Sequence, residues 1–500
     1  MKSNRLLIMA LLALLAGGCA DVPSVGPDYH QPTMSTPAHW GEPLKGGETN
    51  SPTPVADWWE NFHDPELDSL IARAAKSNLD LKIAQARVRE TRAEYGFAVG
   101  NLFPTVDASG SYARQRQSKN QPVLSSLPMP PGVPFENNVY QAGFDASWEI
   151  DVFGGKRRAM EAAKAQVAAA EFGQRDVLVT LLGEVARNYV EARGYQRQLE
   201  IVRQNIQAQE QVLAITQNQF TNGLANNLDV QQAATLLATT RANVPTLETA
   251  LQASIHRLGV LLSQPPEALQ TELSSVAAIP AAPPEVPVGL PSDLLLRRPD
   301  VRLAERQLAA ATANIGVAKA DLFPKFYLTG VAGFQGVSAD EWFTGDSKFW
   351  SVGPAVQWRI FDAGRIRANI KVQNARQEEA LAAYEQTALS AFEDVENALV
   401  AYANEQVRRR SLEDAVKSSQ ESLRLASQLY ANGLANFINV LDAERSLYQA
   451  QDALVQSDRT VSTDVIALYK SLGGGWETQL SSVSASAAAV SQSIANREKL

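Results

Sequence analysis

The sequence predicts an α+β membrane protein. Each chain supplies four strands to a β-barrel wall that neighbouring chains complete, and α-helices far longer than a membrane is thick continue from it. Three observations lead there. The phrase Asn-Gly-Leu-Ala-Asn occurs twice, at 222–226 and 432–436, each time inside a long polar helical pattern. Four segments alternate apolar and polar residues as strands with one apolar face do. The same landmarks recur in the same order in both halves, as in an internal two-fold repeat.

The N-terminus comes first. Lys2 and Arg5 precede an apolar run of 11 residues, Leu6–Ala16. About 20 residues are needed to span a bilayer, so the run reads as a secretory signal. Ala16, Gly17 and Gly18 lead into Cys19, the single cysteine. This resembles a bacterial lipobox, with cleavage before Cys19 and lipid on its sulfur. The usual leucine three places before the cysteine is Ala16 here, with Leu15 one place further back. Ala20 follows, not the aspartate that retains such lipoproteins in the inner membrane. No later segment is apolar enough for a transmembrane helix.

Composition removes several function classes. One cysteine and four scattered histidines (His30, His39, His63, His256) argue against a disulfide framework and a Cys/His metal site. A net charge of −9 with no basic block argues against nucleic acid as a partner. No phosphate loop, nucleophile motif or zinc spacing is present, so the chain reads as no enzyme.

The two copies then follow. The order of segments is a signal peptide (1–18), a lipidated N-terminal segment (19–62), a first copy (63–263), a linker with seven prolines (264–291), a second copy (292–476) and a Ser/Ala-rich tail (477–500) expected to be loosely ordered. Leu-Phe-Pro at 102–104 matches Leu-Phe-Pro at 322–324, and "WEIDVFGGKRR" at 148–158 matches "WRIFDAGRIR" at 358–367. Strands are expected at about 105–114, 139–151, 325–335 and 350–361. In the second of them Tyr140, Ala142, Phe144, Ala146, Trp148 and Ile150 oppose Gln141, Asp145, Ser147 and Glu149. The third alternates less well, because Val331 falls on its polar side. Four strands cannot close a membrane barrel, for which about eight is the minimum. Two chains would supply eight strands and three would supply twelve.

From Gly155 to the first Asn-Gly, and from Gly364 to the second, run about 66 residues of helical pattern, roughly 100 Å at 1.5 Å per residue. They are too polar for lipid. Leu412, Val416, Ser419, Leu423, Ala426 and Tyr430 form a heptad seam. Each Asn-Gly phrase supplies a residue that tolerates positive φ, ending one helix and starting a returning one. Asn226 and Asn436 stand where N-caps stand, with Asp229 and Asn439 three residues later.

At "VGPDY" (25–29), "WWENFHDPELDSLIARAAKSNLDL" (58–81), "LPSDLLLRRPDVRLAE" (290–305), "ANFINVLDAERSLYQAQ" (435–451) and "LYKSLGGGW" (468–476) the chain resembles a family. It is similar to the outer-membrane efflux proteins of the TolC/NodT class, in particular the lipoprotein members serving resistance–nodulation–division (RND) pumps. The resemblance covers nearly the whole mature chain. It implies a homotrimer with a 12-stranded barrel in the outer membrane and a long helical tunnel in the periplasm. It also implies an equatorial belt from the terminal regions and the linker. Implied partners are a periplasmic adaptor, an inner-membrane RND transporter and outer-membrane lipid. No cofactor is implied beyond the lipid on Cys19.

The resemblance also implies site residues. Ile438, Asn439 and Asp442 match the periplasmic aperture, with Asp229 facing from the first hairpin. Asp442 would form an acidic ring and Ile438 an apolar collar. Some members carry a second aspartate where this chain has Asn439, and an arginine where it has Ala435. The lock that such an arginine makes with the carboxylate matching Asp229 therefore cannot form. Gly223, Leu224, Ala225, Gly433, Leu434 and Ala435 are candidate adaptor contacts, the leucines as apolar anchors on polar tips. The functional expectation is an exit duct for small toxic molecules such as antibiotics. The alternatives are a duct for polypeptide secretion and a lipid-anchored coiled-coil scaffold.

Overall fold

The structure is a computed structural model that describes residues 24–41, 48–49, 56–116, 118, 136–283 and 286–477. The signal segment, Cys19 and the tail beyond 477 lie outside the described residues. In chain order the elements are β1 (Glu48–Thr49), α1 (Pro65–Ser77), α2 (Leu79–Gly100), β2 (Thr105–Arg116), β3 (Glu136–Ile150), α3 (Gly155–Thr221) and α4 (Asn227–Leu261). Then come β4 (Val286–Pro287), α5 (Pro291–Arg297), α6 (Pro299–Ala320), β5 (Lys325–Gly336), β6 (Lys348–Gln357), α7 (Arg365–Ala431) and α8 (Phe437–Ser471). The chain forms two compact units. One comprises residues up to Pro32 with Arg89–Ala169 and Glu305–Ala383; the other comprises Thr33–Val88, Ala170–Ala304 and the chain from Tyr384.

The first unit holds an antiparallel sheet in the order β2-β3-β5-β6. Its register aligns the apolar positions of all four strands. Val106 lies opposite Ala146, Ala146 opposite Gly330, and Gly330 opposite Val352; Ala108, Phe144, Ala332 and Trp350 make the next such row. The alternate rows carry Asp107, Asp145, Ser147, Thr329 and Gly353. Strand side chains alternate with period two, so one face is apolar and the other polar. The apolar face stands open, with Val106, Phe144, Trp350, Val352 and Val356 all exposed.

Both copies anchor their strands alike. The indole Nε1 of Trp148 donates to Leu102 O at 2.8 Å, and that of Trp358 to Leu322 O at 3.1 Å. The Asp151 carboxylate accepts from the backbone N–H groups of Lys156 and Arg157 at 3.1 and 2.9 Å. Asp362 accepts likewise from Gly364 and Ile366 at 2.9 and 2.7 Å. These carboxylates satisfy donors that the first turn of a helix leaves orphaned. Alternation alone carries the fourth strand to 361. The backbone instead leaves the sheet after Gln357, where Trp358 turns to its carbonyl and Ala363 and Gly364 take φ of 55° and 84°.

An N-terminal strap lies on this unit. Val25 N donates to Phe153 O at 3.0 Å, buried Arg158 reaches the Asp28 carboxylate at 2.6 Å, and Tyr29 Oη donates to Glu305 at 2.6 Å. Gly26, at φ 103°, sits on Gly316, where a Cβ would come within 2.5 Å of Gly316 Cα. Glycine is therefore required on both counts.

The second unit holds the main core. Asp64 caps α1, accepting from Glu66 N and Leu67 N at 3.0 and 3.2 Å. Leu67, Leu70, Ile71 and Ala74 then form its buried stripe. Trp58 stacks on Tyr469 at 5.4 Å between ring centroids. The linker is pinned rather than free. Buried Arg193 and Gln196 donate to Ser275 O and Leu273 O at 2.7 and 2.6 Å, and Ser462 Oγ donates to Pro280 O at 2.7 Å. β1 pairs in parallel with β4, and Trp40 Nε1 donates to Gly289 O at 3.0 Å. Arg298, in the "RRPDV" stretch, joins Asp300, Asp394 and Ser471 O at 2.7 to 3.1 Å, tying α6 to α7 and α8. The seam residues Leu412, Val416, Ser419, Leu423, Ala426 and Tyr430 are all half-buried.

Candidate functional site

The two Asn-Gly phrases make the same turn. Gly223 and Gly433 take φ of 73° and 70°. Leu224 N donates to Gln219 O at 2.8 Å and Gly223 N to Phe220 O at 3.0 Å; Leu434 N donates to Leu429 O at 2.9 Å and Gly433 N to Tyr430 O at 3.0 Å. Each is a Schellman ending, in which a left-handed glycine lets two N–H groups satisfy the last carbonyls of the helix. In such endings the residue after the glycine commonly packs back on its own helix. Here it does not: Leu224 is 79% exposed and Leu434 75%. Gly223 and Gly433 are exposed too, whereas Ala225 and Ala435 are half-buried.

The returning helices start differently. Asn226 Oδ1 accepts from Asp229 N at 2.9 Å and Asp229 Oδ2 accepts from Asn226 N at 3.3 Å, a complete capping box. Asn436 holds the cap position of α8 with no side-chain bond, and only the backbone bond from Asn439 N to Asn436 O, 3.1 Å, is made. The expected second side-chain cap is thus missing. Asn439 has no carboxylate to complete a box.

A small core joins the two hairpins. Ala233 of α4 packs with Phe437, Val440 and Leu441 of α8, flanked by Val212 and Leu213 of α3 and by Leu423, Ala426 and Tyr430 of α7. Tyr430 Oη donates to Gln219 at 2.7 Å, and its ring lies 5.3 Å from that of Phe437. Burial, and the Asp229 carboxylate after it, push the Tyr430 hydroxyl above its usual range.

Ile438 and Asp442 line a groove of about 510 Å³ between α4 and α8, with Leu228, Gln231, Thr235 and Arg445. Ile438 is 40% exposed and Leu228 62%, so the groove carries an apolar lip. Asp442 is bound to Arg445 at 2.6 Å, one helical turn on. Sequence reasoning passed over Arg445, although the i,i+3 spacing to Asp442 is the readable signal. An arginine–aspartate pair does stand at the tip, then, but inside α8. Asp229 remains with its own cap.

An outer membrane efflux protein family model matches the chain twice, over residues 70–264 and 290–474. The solvent efflux pump outer membrane protein SrpC of Pseudomonas putida is 34% identical over 481 residues, covering 95% of this chain and 99% of its own. Nodulation protein T of Rhizobium leguminosarum bv. trifolii is 31% identical over 465 residues, 93% of this chain and 96% of its own. The solved structure of the outer-membrane channel OprN superposes with a TM-score of 0.83 at 35% identity, covering 90% of this chain and 99% of that chain. The chain accordingly belongs to the outer membrane efflux protein family and is an outer-membrane efflux channel, a conduit and not an enzyme.

Proposed function

We propose that three copies of this chain form the exit duct of a tripartite RND-type efflux system. Their sheets would close a 12-stranded barrel, and their long hairpins would continue it as a tunnel into the periplasm. The observation that carries this reading is the four-stranded sheet. All its apolar rows share one face, and among the described residues its outer strands β2 and β6 each pair on one side only. Unpaired strand edges invite another copy, and closure is what lets strands span lipid. Aromatics at both strand ends fit the interfacial girdles of such barrels. Trp148 and Trp358 stand at one end, and Tyr112, Tyr140, Trp342 and Phe343 at the other.

In this reading lipid on Cys19 anchors the chain, and the Val25–Tyr29 strap keeps that anchor near the base of the sheet. Ile438, Asn439, Asp442 and Asp229 bound the periplasmic aperture. The exposed Leu224 and Leu434 offer apolar anchors to an adaptor protein, which links the duct to an inner-membrane pump. Cargo would be small and toxic, since the similar proteins include a solvent pump component and an antibiotic pump component of Pseudomonas putida.

A deletion strain tests this with a susceptibility panel and an assay of secreted polypeptides side by side. The expected result is a several-fold rise in susceptibility to at least one class of small compounds, with secretion intact. Unchanged susceptibility with loss of a secreted polypeptide would replace efflux by protein export.

A further inference from the structure

One cation stands on the apolar face of the sheet. Directly opposed strand residues share a face. Between the row of Trp148 and the row of Tyr140, every position of that face on the four strands is apolar or glycine except Lys348, which lies opposite Phe334. Those two rows are eight residues apart on β3, about 27 Å along the strand. That is the scale of the apolar band, about 25 Å, which a membrane barrel turns to lipid. Lys348 sits one row inside the Tyr140 end, the end away from α3.

Beside Lys348 the face is hollow. In register Ala332 lies between Phe144 and Trp350, and Ala142 lies beside Phe334. These small and large side chains shape a groove of about 540 Å³, and Lys348 is the only charged residue lining it. Phe343, from the β5–β6 connection, packs on Phe334 at 5.4 Å between ring centroids and extends that wall. Among the described residues Lys348 forms no ion pair and no hydrogen bond. The carboxylates of that connection, Asp340, Glu341 and Asp346, leave it alone, and Asp340 accepts from Ser338 instead.

The chemistry of the occupant follows. An apolar trough takes hydrocarbon, and a single cation at its outer end takes a single anion. A lysine stem lies along apolar surface while its ammonium reaches the headgroup level, and an ammonium is a good partner for phosphate. Acyl chain and phosphate belong together in a membrane lipid. A second copy of the chain is not the occupant, because barrel closure uses the edges of β2 and β6 and leaves this face to lipid. Cargo is not the occupant either, because it passes along the opposite, polar face.

We infer that this groove binds a phosphorylated lipid of the outer leaflet, one acyl chain lying over Ala332 between Phe144 and Trp350 and the phosphate resting on the Lys348 ammonium. The inference rests on reading the sheet as part of a membrane barrel, and it assigns one lipid site to each chain.

The test is native mass spectrometry of the full chain in detergent, titrated with dioleoyl phosphatidic acid or with dioleoylglycerol, which has the same chains and no phosphate. Wild type is expected to take up phosphatidic acid about fivefold more tightly, the gain one lysine supplies at a membrane surface. Lys348→Gln should bring phosphatidic acid down to the dioleoylglycerol level, and Lys348→Arg should keep the preference. Ala332→Phe, which fills the trough from an exposed position, should weaken both lipids several-fold. Equal binding of the two lipids to wild type overturns the inference, as does a preference that survives Lys348→Gln or binding that ignores Ala332→Phe. The copy number in the same spectra judges the underlying reading apart. Three copies per particle without a phosphate preference removes the lipid site and leaves the barrel; particles of one or two copies remove both.

Discussion

At the two tips the same five residues fold alike and are then capped unlike. Gly223 and Gly433 differ by 3° in φ, 73° against 70°. Yet Asn226 shares two bonds with Asp229, while the Asn436 side chain caps nothing. Asn226→Ala should therefore cost about 1 kcal/mol locally, and Asn436→Ala a few tenths at most. Hydrogen exchange at the first turns of α4 and α8 measures this: exchange should speed about fivefold in the first case and hardly in the second. Equal effects would refute the asymmetry. The turns and their leucines were legible in the sequence, because glycine chemistry is local. The Asp442–Arg445 pair was readable as well, in its i,i+3 spacing; the packing of α3 and α7 against α8 around Phe437 was not, because no periodicity says which face of a helix meets which neighbour.

Among the elements, the sheet was the more legible. Alternation separated the apolar rows from the polar ones, including the weak third segment with Val331. It could not give the pairing of β3 with β5, which joins the two copies. In that seam Gly143 and Gly333 are directly opposed in register. A Cβ built on Gly333 would stand 2.7 Å from Gly143 Cα. Gly333→Val should therefore split the sheet and abolish assembly, read as loss of heat-resistant oligomer in detergent. An unchanged oligomer would contradict the pairing. The "RRPDV" stretch was the reverse case, specific as a pattern but silent about its task. Its Arg298 serves contacts with Asp394 and with the end of α8, far apart in sequence.

For the whole molecule, the landmarks written twice were visible at once, and the family model matches two stretches, 70–264 and 290–474. The linker was legible only as not helical. Its attachment through Arg193, Gln196 and Ser462 depends on side chains that a proline count cannot announce. The number of chains was open on strand arithmetic alone, at eight strands for two copies or twelve for three. The central claim is that this sheet is one third of a barrel. Native mass spectrometry of the detergent-extracted protein tests it most directly. Three copies of the mature chain in one particle is the predicted result, and a particle of one or two copies would contradict it.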